Sequence, residues 1–242
     1  MTPAPPAPQV LVELFRVPGR RVPSALRRMG TDRVHLARAP GLRFAKLLGT
    51  GDGRTFDVRD ADPRTWGVLT VWEDREARTA YEQGSPVARG WRRIAEEAWQ
   101  AELRPLVTKG QWSGVAPFGD PEPARYDGPV AAITRARLAW GTMRTFWRAV
   151  PPVTAELHAM PGLRLAVGIG EAPVGLQGTF SVWASTRALA DFAYRQPAHR
   201  EAIEATPRIG WYAEELFARF AVEATRGQIF GADPLADAAP TA

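Results

Sequence analysis

The chain contains an internal repeat, and this repeat constrains its fold more than any other feature of the sequence. The motif Pro-Gly-Leu-Arg followed by an apolar residue and Ala occurs at 40–45 and again, 121 residues later, at 161–166. The motif Gly-x-x-x-Val-Trp occurs at 67–72 and again, 111 residues later, at 178–183. The first copy therefore holds ten extra residues between the two motifs. Because self-similarity at a fixed spacing marks a duplicated structural unit, we expect two similar halves.

A segment rich in proline and glycine separates the two copies. Residues 115–128 contain three prolines and two glycines, which disfavour both helix and strand, so this segment is predicted to be a linker. The predicted units along the chain are a disordered tail at 1–8, a first repeat at 9–114, the linker at 115–128, a second repeat at 129–231 and a disordered tail at 232–242.

Each copy shows the same order of local patterns, which is strand, helix, strand, strand, helix, strand. In the second copy, apolar residues recur at helical spacing from Trp140 to Val150, and alternation from Thr179 to Trp183 is typical of a half-covered strand. This order is that of the ferredoxin-like unit. We predict an α+β fold in which tandem ferredoxin-like repeats form a fused, pseudo-dimeric version of the dimeric α/β-barrel. The two sheets are expected to enclose a space suited to a flat apolar ligand.

The composition excludes much catalytic chemistry. The chain has no cysteine, which excludes disulfides, iron–sulfur clusters, thiolate-ligated haem and cysteine nucleophiles. Its three histidines, His35, His158 and His199, are too far apart in sequence to form a local metal-binding motif. A bound metal ion is therefore expected to rely on one histidine.

The basic residues are almost all arginine, 29 of 31, and the formal net charge is +5. Arginine suits carboxylate and phosphate groups, although a coding bias gives the same ratio. Acidic residues are interspersed and no arginine run exceeds two, so we expect no nucleic-acid partner. No apolar run approaches the roughly 20 residues of a membrane-spanning helix, and the N-terminal residues lack a signal-peptide pattern. We expect a cytoplasmic protein.

Two glycine-rich stretches and two glutamate pairs are predicted to be structural. Residues 49–53 lack the Gly-Lys-Ser/Thr end of a phosphate-binding loop, and 168–170 lack the third glycine of a dinucleotide-binding motif, so both are predicted to be turns. The pairs at 96–97 and 214–215 lie in segments that are predicted to be helical. Adjacent side chains on a helix diverge by about 100°, so these carboxylates are predicted to be solvated.

One histidine breaks the repeat. His199 lies 16 residues after Trp183, and the matched position in the first copy, 16 residues after Trp72, is Ala88. A metal-competent imidazole in only one copy indicates an asymmetric site. The alternative is that His199 is an ordinary surface residue of a helix, beside Arg200, because the spacing fits that interpretation too.

Five segments of the second copy carry a family resemblance. They are Ala-Ala-Ile-Thr-Arg-Ala at 131–136, Phe-Trp at 146–147, Gly-Ile-Gly-Glu-Ala-Pro at 168–173, Thr-Phe-Ser-Val-Trp at 179–183 and Gly-Trp-Tyr-Ala-Glu-Glu-Leu-Phe-Ala-Arg-Phe at 210–220. Looser matches in the first copy include 71–72, 85–87 and 91–92. Together these segments resemble the spheroidene monooxygenase family of carotenoid biosynthesis. The chain departs from the family at 196–200, where it is shorter and contains a proline.

The resemblance implies an oxygenase with b-type haem that forms a keto group on a linear carotenoid. The family's histidine ahead of the Gly-Trp block corresponds to His199, which is therefore the expected iron ligand. Arginines such as Arg135 or Arg137 are expected to pair with the haem propionates. The residues expected to line or support the pocket are Phe146, Trp147, Phe180, Phe192 and Trp211.

Other functions remain open at this stage. A haem protein on the same barrel could act on another small molecule, as an aldoxime dehydratase does. A cofactor-free oxygenase and a non-enzymatic basic binding module are further alternatives, because fold alone does not decide function. The substrate is expected to be apolar, and peripheral contact with a membrane is one route to it. The electron donor, the distal catalytic groups and the oligomeric state are not set by the sequence.

Overall fold

The computed structural model describes residues 8–52, 60–122, 124–138, 154–171, 176–196 and 212–237. The strands are β1 (Gln9–Arg16), β2 (Leu42–Gly51), β3 (Ala61–Trp72), β4 (Glu97–Gly110), β5 (Val130–Leu138), β6 (Leu163–Gly170), β7 (Leu176–Trp183) and β8 (Tyr212–Gly227). The helices are a short 3-10 helix (Gly19–Arg21), α1 (Val22–Leu36), α2 (Arg75–Gly84), α3 (Pro86–Ile94) and α4 (Thr186–Arg195). Residues 154–159 are also helical.

These strands form one closed antiparallel barrel in the order β1-β3-β2-β6-β7-β5-β8-β4. The strands of the first half lie in the order β4-β1-β3-β2, and those of the second half lie in the matching order β8-β5-β7-β6. The halves meet where β2 pairs with β6 and where β4 pairs with β8. The prediction of an α+β barrel is confirmed at this level.

The pairing of β2 with β6 corrects one sequence prediction. Residues 49–51 pair antiparallel with residues 168–170, so these glycines lie in strands and not in the predicted turns. A Cβ atom on Gly51 would lie 2.6 Å from the carbonyl oxygen of Asp60, which explains the glycine there. The turn prediction was wrong because glycine marks a close approach of two backbones as well as a turn.

The glutamate pairs also lie differently from the prediction. Glu97 is the first residue of β4, and Glu214 and Glu215 lie near the start of β8, so neither of these segments is helical. Successive side chains on a strand point to opposite faces of the sheet. Glu214 therefore faces the same side of β8 as Leu216, which lies in the barrel interior. The helical prediction did not distinguish Glu214 from Glu215, because it did not include the alternation of side chains along a strand.

The barrel interior is packed with apolar side chains. All eight strands contribute to one buried cluster, and its largest members are Trp99, Trp112, Phe118, Phe180 and Phe220. Eight strands enclose a volume just wide enough for side chains to fill. The prediction of a ligand space between the two sheets is therefore wrong for the described residues, because aromatic rings fill the barrel interior.

Two further apolar clusters lie on the outer faces of the barrel. In the first half, α1 and α3 cover a cluster that contains Phe15 and Trp91. In the second half, α4 covers a smaller cluster around Trp183 and Phe192. Among the described residues, no helix is long and apolar enough to cross a membrane.

Candidate functional site

The strand ladders allow the two halves to be compared position by position. Trp72 pairs with Gln9 in the first half, and Trp183 pairs with Val130 in the second. When these tryptophans are matched, β1 corresponds to β5 at an offset of 121 residues, and β3 corresponds to β7 at an offset of 111. The offsets are those of the sequence repeat, so the structure gives each outer-face residue a defined counterpart.

Large side chains fill the outer face of the first half. Phe15 of β1 stacks on Trp91 of α3 with ring centroids 5.6 Å apart, and Trp66 of β3 lies 6.3 Å from Trp91. Ala88 of α3 is fully buried in the same cluster. The side chain at this position of α3 therefore points toward the sheet.

Several counterparts in the second half are smaller, whereas Trp72 has a counterpart of equal size in Trp183. Along the strands the replacements are Leu11 to Ala132, Phe15 to Ala136, Leu47 to Gly168 and Val68 to Thr179. The sequence repeat also matches Trp66 with Gln177 and Trp91 with Ala202, whose side chains lie outside the described part of the structure. Each large aromatic side chain buries roughly 150–250 Å². Among the described side chains, the replacement of Phe15 by Ala136 removes one such ring from the outer face of the second half. We define this outer face, with Ala136 at its centre, as the candidate site.

The residues expected at the site from the sequence lie in several places. Phe180 faces the barrel interior, with its ring centroid 6.3 Å from that of Trp99. Phe192 stacks on Trp183 with centroids 5.4 Å apart, between α4 and the outer face. Phe192 is thus placed to support the candidate site, whereas Phe180 belongs to the barrel core. The remaining expected residues, His199, Phe146, Trp147 and Trp211, lie outside the described residues.

The two arginines expected to bind propionates do not face the candidate site. Along β5, Ile133 lies in the barrel interior and Ala132 lies in the outer cluster. Arg135 and Arg137 share the side of Ile133, opposite to that of Ala136, because side chains alternate along a strand. Arg135 is only 4% exposed, and Arg137 is exposed at the end of the barrel.

Arg135 belongs to a cluster of charged groups at one end of the barrel. It forms an ion pair with Glu214, and its Nη2 lies 3.6 Å from Oε1 of Glu171. Glu171 also accepts hydrogen bonds from Nζ of Lys46 and from the indole N–H of Trp112. The guanidinium is therefore committed to two carboxylates, which is why it is not available to a propionate on the outer face.

Backbone groups complete this charged cluster. Glu214 accepts hydrogen bonds from the backbone N–H groups of Ser113 and Gly114, at 3.1 and 2.8 Å. Desolvation raises the pKa of the Glu214 carboxyl, but the hydrogen bonds from Gly114, Arg135 and Ser113 outweigh it and hold the pKa below its usual value. Glu214 is therefore an ionised structural group.

The sequence analysis missed two residues on the candidate site. Arg219 pairs with Ala132 between β5 and β8, and Phe217 pairs with Thr134, so both side chains share the outer side of the sheet with Ala136. Phe217 is exposed, and Nε of Arg219 is buried without a hydrogen-bond partner among the described residues. Such a donor suits an anionic group. Nothing in the sequence distinguishes Arg219 from the other arginines, because its position depends on strand alternation.

Comparison with curated proteins decides the family. The chain is 34% identical over 235 residues to spheroidene monooxygenase of Rhodobacter capsulatus, and the match covers 95% of this chain and 96% of that protein. It is 40% identical over 182 residues to spheroidene monooxygenase of Rubrivivax gelatinosus, covering 75% of this chain and 69% of that protein. The chain belongs to the spheroidene monooxygenase family. No protein-family model matches it.

Two solved structures share their fold with most of the chain of this spheroidene monooxygenase family member. A crystal structure of aldoxime dehydratase in complex with butyraldoxime has a TM-score of 0.60 at 12% identity and covers 89% of this chain and 79% of that one. A second aldoxime dehydratase structure has a TM-score of 0.61 at 13% identity, covering 89% and 81%. At this identity the likeness shows the fold alone.

Proposed function

We propose that the chain is a haem-dependent monooxygenase that introduces a keto group into an apolar substrate, a linear carotenoid. Membership of the spheroidene monooxygenase family supports the reaction and the substrate class. The observation that carries the cofactor assignment is the loss of large side chains from the outer face of the second half, at Ala136 and its neighbours. When bound, haem supplies the iron that activates oxygen.

We further infer that the two halves are tandem ferredoxin-like units and that the barrel is the fused counterpart of a dimer. The matching strand orders of the two halves support this, as does the sequence repeat. In such a fusion each half keeps its own outer face under its own helices. One outer face can then remain a packed core while the other takes a ligand.

His199 is the proposed iron ligand. The sequence repeat matches His199 with Ala88, which is buried against the sheet in the first half, and this match supports the proposal. The absence of cysteine leaves histidine as the usual axial ligand for such a haem.

The other residues of the face have distinct proposed roles. Arg219 fits a haem propionate, because the buried Nε belongs to a planar guanidinium that pairs with carboxylates. Phe217 and Ala136 offer an apolar surface to the macrocycle and the substrate, and Phe192 supports that surface through Trp183.

Ala136→Phe tests the assignment directly, because it restores the first-half residue in the second half. Purified from cells supplied with iron and a haem precursor, the wild-type protein is expected to show a Soret band, and Ala136→Phe and His199→Ala are expected to lose most of it. The matched control is Ala80→Phe, which adds the same ring at an exposed position on α2 and is expected to keep the band. Circular dichroism checks that each variant is folded. Normal haem spectra in both Ala136→Phe and His199→Ala would contradict the proposed site.

A separate experiment tests the substrate. Expression in a host that makes linear carotenoids is expected to shift its pigments toward ketocarotenoids, and Ala136→Phe is expected to abolish that shift. Unchanged pigments together with a normal haem spectrum would refute the carotenoid assignment and leave the haem site standing.

A further inference from the structure

The positive charge of the chain is concentrated in one segment. Residues 14–51 contain nine basic residues and a single acidic one, Asp32. Since the whole chain has 31 basic and 26 acidic residues, the remainder has 22 basic and 25 acidic residues and is net negative. A uniform coding bias does not produce such a segregation of charge. The excess lies on α1 and the segments on either side of it.

Most of these basic side chains are free to meet a partner. Three of the nine are ion-paired, namely Arg16 with Asp62, Arg28 with Asp32, and Lys46 with Glu171. The other six are exposed and form no ion pair with another described residue; they are Arg20, Arg21, Arg27, Arg33, Arg38 and Arg43. A segment with six exposed cations that form no ion pair, and with no exposed carboxylate on α1, attracts anions.

The same helix exposes apolar side chains. Leu26 is 56% exposed and Val34 is 53% exposed. At 100° per residue they lie within about 80° of each other around α1, and Arg27 and Arg33 flank them on either side. The buried residues of α1 lie on the opposite side; they are Ala25, Asp32 and Leu36. An outward apolar strip between arginines is typical of a helix that lies in a membrane interface.

We propose that this face of α1 docks onto the surface of an anionic lipid membrane. Leu26 and Val34 enter the headgroup layer, and Arg27 and Arg33 on either side of them face lipid phosphates. A nucleic acid would also offer phosphates, but it would leave the two apolar side chains in water. The exposed apolar strip therefore favours a membrane over a nucleic acid.

The surroundings of the helix fit the same partner. A cleft of about 450 Å³ at the C-terminal end of α1 is lined by Arg33, Arg43 and the Lys46–Glu171 ion pair, among others, and so carries a net positive charge that suits a lipid headgroup. The cleft lies against β2, which pairs with β6 at the edge of the second half. The proposal itself rests on charge and exposure in the first half and does not depend on the haem site.

Vesicle co-sedimentation of the full chain tests the proposal. Vesicles of phosphatidylcholine with phosphatidylglycerol are expected to bind the protein, and vesicles of phosphatidylcholine alone are expected to bind it far more weakly. Arg27→Glu with Arg33→Glu is expected to lower the partition coefficient at least about 30-fold, because each basic residue near an anionic surface contributes about a factor of five. Leu26→Ser with Val34→Ser is expected to lower it about 10-fold at unchanged net charge. Circular dichroism checks the fold of each variant.

Arg125→Glu with Arg164→Glu is the matched control, since it changes the net charge equally at two exposed positions away from α1. This variant is expected to bind within about threefold of the wild type in physiological salt, where distant charges are screened. Equal loss of binding in the control and the Arg27/Arg33 variant would overturn the assignment to α1. Equal binding to neutral and anionic vesicles would overturn the role of charge. Binding of a duplex oligonucleotide that displaces vesicles and survives the Leu26/Val34 change would identify a nucleic acid as the partner and overturn the proposal.

Discussion

Replacing Arg135 by methionine separates a structural role of this arginine from a role in cofactor binding. The substitution keeps an unbranched side chain but removes the guanidinium that pairs with Glu214 and Glu171. Removing one partner of a buried ion pair costs roughly 3–5 kcal/mol. Glu171 keeps its contact with Lys46, and Glu214 keeps two backbone N–H donors, so we expect a loss near the lower end, about 3 kcal/mol.

Urea unfolding of the apoprotein, followed by tryptophan fluorescence at pH 7, measures this loss. Arg137→Met is the matched control on the same strand, and because Arg137 is exposed, we expect a change within about 0.5 kcal/mol. The double variant Arg135→Met/Glu214→Gln is expected to lose less than the sum of the single variants, because the two groups share one interaction. Folded Arg135→Met is expected to keep its haem spectrum. The reasoning would be refuted by an Arg135→Met protein of nearly wild-type stability that no longer binds haem.

Three further outcomes follow from the structure. His35→Ala and His158→Ala are expected to keep the Soret band, because both side chains are exposed and neither lies on the outer face of a sheet. Ala88→His is expected to add no second haem to the spectrum and to lower the free energy of unfolding by about 1–3 kcal/mol, because Trp91 and its neighbours fill that space. Burial raises the pKa of Glu13 to about 7, so the folded state binds this proton more tightly than the unfolded state. Stability is therefore expected to rise as the pH falls from about 7 to about 5, and urea unfolding of Glu13→Gln over that range is expected to lack this contribution.

The architecture could be predicted from the sequence because duplication leaves matched landmarks. The motifs ending at Trp72 and Trp183 occupy the same place in the two halves, at the end of a strand that pairs with the first strand of its half. Two copies of one strand order, joined in one chain, form a closed barrel when their edge strands meet. The helices after β3 and β7 follow the predicted order of elements too. They begin at Arg75 and Thr186, and Asp74 and Ser185 cap them through their side chains.

The candidate site could not be located from the repeat alone, because its position depends on which face of the sheet each strand residue points to. Arg135 and Ala136 are neighbours in sequence, yet the first faces the barrel interior and the second faces the outer surface. A composition rich in aromatic residues indicates a pocket without saying on which side of a sheet it lies. The register of β5 against β7 supplies that information, and it also separates Phe180 of the core from Phe217 of the candidate site.

Duplication would allow the proposed cofactor site and the packed aromatic cluster to occupy different halves. Phe15, Trp66 and Trp91 fill one outer face and stabilise the sheet that carries them. The same space cannot also hold a macrocycle, so a single unit would have to give up that packing to bind one. With two units joined along the β2–β6 and β4–β8 pairings, the first half supports the strands of the second half through continuous hydrogen-bonded ladders. Small residues at Ala136 and Gly168 are then tolerated, because the barrel interior and the first outer face already hold the chain together.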